Sequence, residues 1–280
     1  LVGPHTMTVL HPPGLGGMVP AALPECHPTE LVRADGRPTP EFRERLRRIP
    51  SWRNAGSLVS TYVQSALVVW AAVAWGPWAW LPAIVLMGRA HAQFASLMHE
   101  AAHRLLFADK RANDVVGRWL LGFPTFTSTD VYRRVHMAHS SDPRSRHTFW
   151  KIVLVQVVLC AAAIASGHWW TYPLLWVVPY LTVWRVINRL RAIAEHGGMH
   201  RSTDRRESTH SVRQNPLARF LLVPYRIGWH LAHHVDAGVP FRNLPVLHSA
   251  LQQAGYVDAT VEWRSYPALW AALRRPPAAS

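Results

Sequence analysis

Nine of the seventeen histidines fall into four clusters with one-turn spacing: His99 and His103 in HEAAH, His136 and His139 in HMAHS, His196 and His200 in HGGMH, and His230, His233 and His234 in HLAHH. Imidazole is the commonest protein metal ligand near neutral pH. Residues three or four apart share a helix face, so each cluster can aim two or three nitrogens at one point. Nine imidazoles exceed the need of one metal, since a structural zinc takes about four ligands, usually with cysteine, and a catalytic zinc about three plus water. Two metals with four or five nitrogens each use the set better. All-nitrogen ligation suits iron, copper or zinc, and spacing alone does not choose among them. HEAAH also matches the helix pattern of zinc hydrolases, with Glu100 as base.

The elements that position these clusters are apolar. The chain has 280 residues, of which 49% are apolar and only 16% charged. A water-soluble domain carries about 25% charged residues, so this chain has too few to cover a soluble surface. The formal net charge of +14 reads as positive-inside topology and attraction to anionic membrane lipids. Nucleic-acid binding is the rival explanation, but no such motif is present and the arginines flank apolar spans, so no nucleic-acid partner is expected. Cys26 and Cys160 are the only cysteines, too few for a disulfide framework or an iron–sulfur site. No charged segment followed by an apolar one opens the sequence, and a cleaved signal peptide is not expected.

Residues 54–88 and 152–184 contain no Asp, Glu, Lys or Arg, and Gly76-Pro77 and Ser166-Gly167 break them near their middles. A membrane span needs about 20 residues. The pattern predicts two helical hairpins, with spans near 57–75, 78–98, 150–166 and 169–187. Trp75, Trp78, Trp80, Trp169 and Trp170 cluster at the short turns as an aromatic belt, while Lys and Arg lie in the long segments outside. Both termini, the middle loop and all four histidine clusters are therefore expected on the cytoplasmic side. Arg89, His91 and Gln93 interrupt the second span and must face protein or a cavity.

Three regions follow. Residues 1–54 form an N-terminal cytoplasmic segment, irregular to about residue 40. Its EFRERLRRI helix puts Phe42, Leu46 and Ile49 on one face, for the membrane interface or for protein. Residues 55–255 form the membrane domain. Residues 256–280 form an amphipathic tail, with Trp263, Leu269, Trp270 and Leu273 set for a membrane surface or for a lid on the cap.

The ordered set HEAAH, YRRVHMAH, RLRAIAEHGGMH and PYRIGWHLAHHVDAGVPFRNLPVLH (224–248) resembles the integral-membrane fatty acid desaturases and hydroxylases with histidine boxes, over about residues 55–255. The resemblance implies an all-α fold: a four-transmembrane-helix bundle with a helical cytosolic cap carrying the metal site. It implies two iron ions that activate O₂ against an unactivated C–H bond of an acyl-chain or lipid substrate, giving an alkene or an alcohol. The ligands it implies are His99, His103, His136, His139, His230, His233 and His234, with His196; His200 is included as a ninth candidate, although the family pattern fits Glu195-His196 better. His248 in LPVLH matches a family position that can orient the cap. The sequence holds neither a dinucleotide fingerprint after a predicted strand nor an iron–sulfur cysteine set. Electrons are therefore expected from a separate donor such as ferredoxin and its reductase, docking on the basic cytoplasmic face.

The family's second box ends in two adjacent histidines, whereas here His139 is followed by Ser140. Serine is a poor iron ligand, so water, His147 or Asp142 is left to fill that position, and an altered or lost reaction is one consequence. Outside this family, a membrane zinc hydrolase leaves six histidines idle, and a metal transporter calls for ionisable groups near the midplane. Ser140→His is expected to change metal content or turnover of the purified protein; if neither moves, position 140 is not part of the ligand set.

Overall fold

The computed structural model describes residues 17–137 and 145–274, except for the side chains of 134–137 and 145. Those residues are mostly helical, with one two-residue parallel strand pair. The chain runs α1 (Pro40–Leu46), α2 (Ser51–Trp75), α3 (Pro77–Ala102), α4 (Lys110–Val116), α5 (Thr129–Met137), α6 (Ser145–Ala165), α7 (Val178–Leu181), α8 (Val183–His196), α9 (Arg205–Ser208), β1 (Ser211–Val212), α10 (Pro216–Leu221), α11 (His230–Val235), α12 (Leu244–Gln253), β2 (Glu262–Trp263) and α13 (Tyr266–Leu273).

The central element is α3. Almost every residue from Ala90 to Ala102 is buried, and the helix packs against α2, α5, α7 and α8. It begins at Gly76, whose φ of 62° reverses the chain, with Pro77 at the first helical position. Proline there gives up an amide that would have no partner in the first turn, and glycine adopts the left-handed bend without steric cost. Gly167 (φ 75°) makes the second expected reversal.

Two helical stretches, Pro40–Trp75 and Arg146–Ala165, are long and apolar enough to cross a membrane. The other two expected spans differ from a simple apolar helix. The first, within α3, is continuous but carries a polar ladder: Arg89 donates to Gln64 Oε1 (2.8 Å), Gln93 Oε1 (2.9 Å) and the Phe220 carbonyl (2.8 Å). Gln93 in turn donates to the Tyr225 hydroxyl at 3.1 Å. His91 sits against Trp176, its Nε2 3.0 Å from the Trp176 carbonyl. Arg89 and Gln93 are satisfied by protein, as their cost in an apolar setting demands, while His91 bonds through Nε2 alone among the described residues. The remaining span is broken: Pro173–Val177 is a π-helical turn, and Thr182 (φ −113°, ψ −86°) separates α7 from α8.

Elements flanking the long helices form the cap. Phe42 and Leu46 of α1 are buried in the core with Leu231, Phe241 and Leu247, so the apolar face of this helix rests on protein. Leu269 and Tyr266 of α13 pack with Ala194 of α8, and Trp270 donates to the Leu190 carbonyl, which makes α13 a lid on the cap. Residues 17–39 lack helix, as expected, yet amides of Met18 and His27 bond the carbonyls of Gly198 and Ala254, tying the segment across the cap.

Two consequences are measurable. A Cβ built on Gly88 would stand 2.4 Å from Val183 Cβ, so Gly88→Ala must push α3 from α8. Overpacking costs about 1–3 kcal/mol, against about 1 kcal/mol of helix propensity gained. The melting temperature in detergent should fall by a few degrees, and an unchanged value would show that the two helices are not so closely packed. At the strand pair, Glu262 is buried between Arg213 (2.7 Å) and His248 (2.8 Å). Burial opposes its ionisation, but the hydrogen bonds from His248 and Arg213 outweigh it and hold the carboxyl below its ordinary value of 4.5. Stability from this group is thus present above that value and lost as pH falls through the lower folded-state pKa. Glu262→Gln should lower the melting temperature at pH 7 and lose that deficit in acid; a deficit independent of pH would contradict the assignment.

Candidate metal centre

Three helix ends meet at one pole of the long helices. α3 delivers His99 in its last turn and His103 as its C-terminal cap. α8 ends on His196, because Gly197 leaves helical geometry (ψ 127°) and Gly198 turns left-handed (φ 71°). α11 is only six residues long, yet it carries His230, His233 and His234. Successive residues on a helix are about 100° apart. His230 and His234 therefore point nearly together, and His233 diverges from His234 by a quarter turn.

That divergence sorts the imidazoles into two groups. His99, His103 and His233 form one, and His196, His230 and His234 the other; within each, one nitrogen per ring lies within 4.8 Å of the others. Ring centroids in the first group are 4.7, 4.9 and 5.0 Å apart. The groups adjoin through α11, where the rings of His233 and His234 are 5.9 Å apart. Each triad can hold a metal ion.

The second triad shows why a cation suits it. His230 Nε2 is 3.0 Å from His196 Nε2 and 3.0 Å from His234 Nε2. His196 Nδ1 donates to the Ser208 carbonyl at 2.9 Å, which assigns its ring proton there and leaves a lone pair on Nε2. His230 Nδ1 faces the Glu195 carboxylate at 3.6 Å, which favours the same tautomer. Lone pairs then converge from neighbouring rings, an arrangement that repels unless a cation lies between them. Two nitrogens about 2.1 Å from one metal and at right angles are about 3.0 Å apart, so the observed spacing fits shared coordination. Burial, then the neighbouring histidines and Arg191, hold the His230 pKa well below its ordinary value, keeping the neutral form a metal requires.

Surrounding groups fix these rings. Arg191 meets Glu195 at 2.9 Å one turn along α8, so Glu195 is oriented behind His230. Burial raises the Glu195 pKa, with Arg191 and His196 pulling the other way. Asp236, just past α11, is gripped by Arg43 (2.6 Å) and Arg47 (3.0 Å) of the α1 region and accepts from the Gly238 amide at 3.0 Å. Arg133 of α5 donates to the Ala101 and Ala102 carbonyls at the end of α3 and pairs with Asp114 at 2.9 Å. Glu100, the acid of HEAAH, accepts from the Phe241 amide at 3.2 Å, and burial pushes its pKa up to about 8. It serves to anchor the loop after α11.

Of the nine candidates, the structure brings six together. His200 is in neither triad among the described residues; its Nε2 is 3.5 Å from Glu207 Oε2, and the helix stops at His196, so the one-turn spacing to residue 200 does not apply. His136 lies on α5, one turn after Tyr132, whose ring is 5.8 Å from that of His99; the His136 side chain is outside the description. His139, Ser140 and Asp142 lie outside the described residues. His147 is exposed at the start of α6. His248 stacks on Trp229 (4.2 Å) and pairs with Glu262, consistent with orienting the cap. Asn243 donates to the Leu46 carbonyl. The roles of Arg191 and Asp236 were missed from sequence, although the four-residue spacing from Arg191 to Glu195 carried a signal for the first.

With this geometry in view, comparison with known proteins is direct. The fatty acid desaturase family model matches residues 75–148 and 140–267, and the chain belongs to that family. It is similar to the dihydrorhizobitoxine desaturase of Bradyrhizobium elkanii, with 24% identity over an alignment covering 66% of this chain and 70% of the relative.

Proposed function

We propose that this chain is an integral-membrane, oxygen-dependent di-iron oxidase that desaturates an acyl chain, hydroxylation of such a chain being the alternative outcome at the same centre. The observation that carries the reading is the pair of adjoining three-histidine groups, joined through one short helix, in a member of the desaturase family. The name of the Bradyrhizobium relative favours desaturation. Exposed apolar side chains support a lipid setting, among them Val59, Val63 and Leu67 on α2 and Leu154, Val157 and Ile164 on α6, with Trp75, Trp78 and Trp169 exposed at the turns. On this reading four spans cross the membrane, with the centre and both termini cytoplasmic.

His99, His103 and His233 would hold one iron, and His196, His230 and His234 the other, with His136 and His139 completing the shells. His200 is left out because it lies against Glu207. When bound, a reduced iron pair supplies the O₂ activation needed to break an unactivated C–H bond. The protein's own contribution is positioning and exclusion of water. Ser208 and Glu195 set the tautomers of His196 and His230, while buried Leu97, Met98, Ala101, Leu231 and Ala232 surround the histidines with hydrocarbon. The substrate chain would approach from the bilayer toward the cytoplasmic end of α3. Electrons would come from a small acidic donor such as ferredoxin, with its reductase, drawn to the arginine-rich cap. A zinc hydrolase would use Glu100 as base, but Glu100 is engaged by the Phe241 amide.

Detergent-purified protein should carry about two irons per chain on elemental analysis. His233→Ala and His230→Ala should each lose one or both, and substrate-dependent O₂ uptake should fall by roughly the 10–100-fold that damage to a metal shell costs, or more. Chelation should abolish uptake and ferrous iron restore it. A single zinc per chain, or metal content indifferent to both substitutions, would overturn the proposal.

A further inference from the structure

Arg53, Arg226 and Arg242, with Tyr225 and Phe241, line a cleft of about 310 Å³ at the foot of α2, away from the histidines. None of the three guanidiniums makes an ion pair among the described residues, whereas Arg43, Arg47, Arg191 and Arg206 of the cap each meet a carboxylate. Arg242 is held by protein: its Nε donates to Asn54 Oδ1 (2.8 Å), and its Nη2 donates to the Arg53 carbonyl (2.8 Å) and to Ser57 Oγ. Its Nη1 has no hydrogen-bond partner among the described residues. Burial first, and then the charges of Arg53 and Arg226, lower the Arg242 pKa, as expected of three positive groups lining one cleft. Glu100, the acid whose field reaches Arg242, is occupied by the Phe241 amide.

The backbone is bent to bring Arg226 there. Tyr225 (φ 58°, ψ 23°) and Arg226 (φ 66°) are consecutive left-handed residues, and neither is glycine. Such conformations are unfavourable for residues with a Cβ and persist where surrounding contacts enforce them. Here the Tyr225 hydroxyl is pinned by Thr61 (2.6 Å), the Ser57 carbonyl (3.1 Å) and Gln93 (3.1 Å). The tyrosine thus anchors the bend to α2 and α3.

Depth identifies what belongs in the cleft. From Arg53 to Trp75 the helix rises about 33 Å at 1.5 Å per residue, close to one hydrocarbon thickness of about 30 Å. With Trp75 at one interface, Arg53 stands at the other, and Trp52 beside it is exposed with its ring 5.1 Å from the Arg53 guanidinium. Guanidinium forks match phosphate oxygens in pairs. We propose that this cleft binds the phosphate of an anionic membrane phospholipid, seated at the cytoplasmic headgroup layer by Arg53, Arg226 and Arg242. The inference rests on the membrane orientation given above.

The test is calorimetric titration of the detergent-solubilised full chain with dihexanoyl-phosphatidylglycerol below its micelle concentration. Arg53→Gln/Arg226→Gln should weaken binding at least tenfold while melting temperature and metal content stay as in the parent. Arg37→Gln, on the far part of the cap, should bind like the parent. Equal affinity in parent and double variant would overturn the proposal. So would inorganic phosphate binding as tightly as the lipid, which would make the ligand a soluble anion. Carbonate extraction separates the two levels. Release of the protein from membranes would defeat the membrane reading itself, whereas retention with an unaltered titration defeats only the lipid site.

Discussion

Lone pairs on adjacent imidazoles repel, and the architecture around α11 exists against that repulsion. Six rings from three helix ends form two adjoining triads, with one nitrogen per ring within 4.8 Å of the others in each. None of the helices involved contributes a compensating carboxylate at the nitrogens that converge. Burial of His230 removes water from its ring and keeps that ring neutral. Holding the rings together therefore falls to contacts behind them: Ser208 and Glu195 at the back of His196 and His230, the two arginines on Asp236, and Arg133 on the carbonyls that end α3. The cap can be understood as the apparatus that keeps electron-rich nitrogens close.

Much of this was legible in the sequence because helix periodicity is local. His99 with His103, and His230 with His234, meet as their spacing requires, and the glycines at 76 and 167 reverse the chain where the apolar runs break. The assignment to the desaturase family rested on the order of the clusters, which is also written in the sequence. What was not legible depends on rotation and on chain ends. Nothing local says that His233 joins His99 and not its own neighbour His234, because that depends on how α11 is rolled against α3. His200 was placed with His196 on the assumption of a continuing helix, and Gly197-Gly198 ends it. The apolar run at 169–187 concealed the break at Thr182, which follows from packing and not from composition.

The polar ladder inside α3 joins the long helices to the loop that precedes α11. Arg89, Gln64, Gln93, Tyr225 and Thr61 form a connected chain of hydrogen bonds across α2 and α3. In an apolar environment such a chain is stable only when each member is satisfied. Tyr225 closes the ladder and begins the segment that leads within a few residues to α11. The position of the second and third helices is thereby linked to the loop that precedes the histidine-bearing one.

Because a single six-residue helix supplies rings to both triads, the two coordination environments are mechanically one. A small roll of α11 that opened the nitrogen spacing on the His230 side would necessarily displace His233 on the other. Variation along the lineage could therefore retune the pair in concert far more easily than it could adjust either member alone.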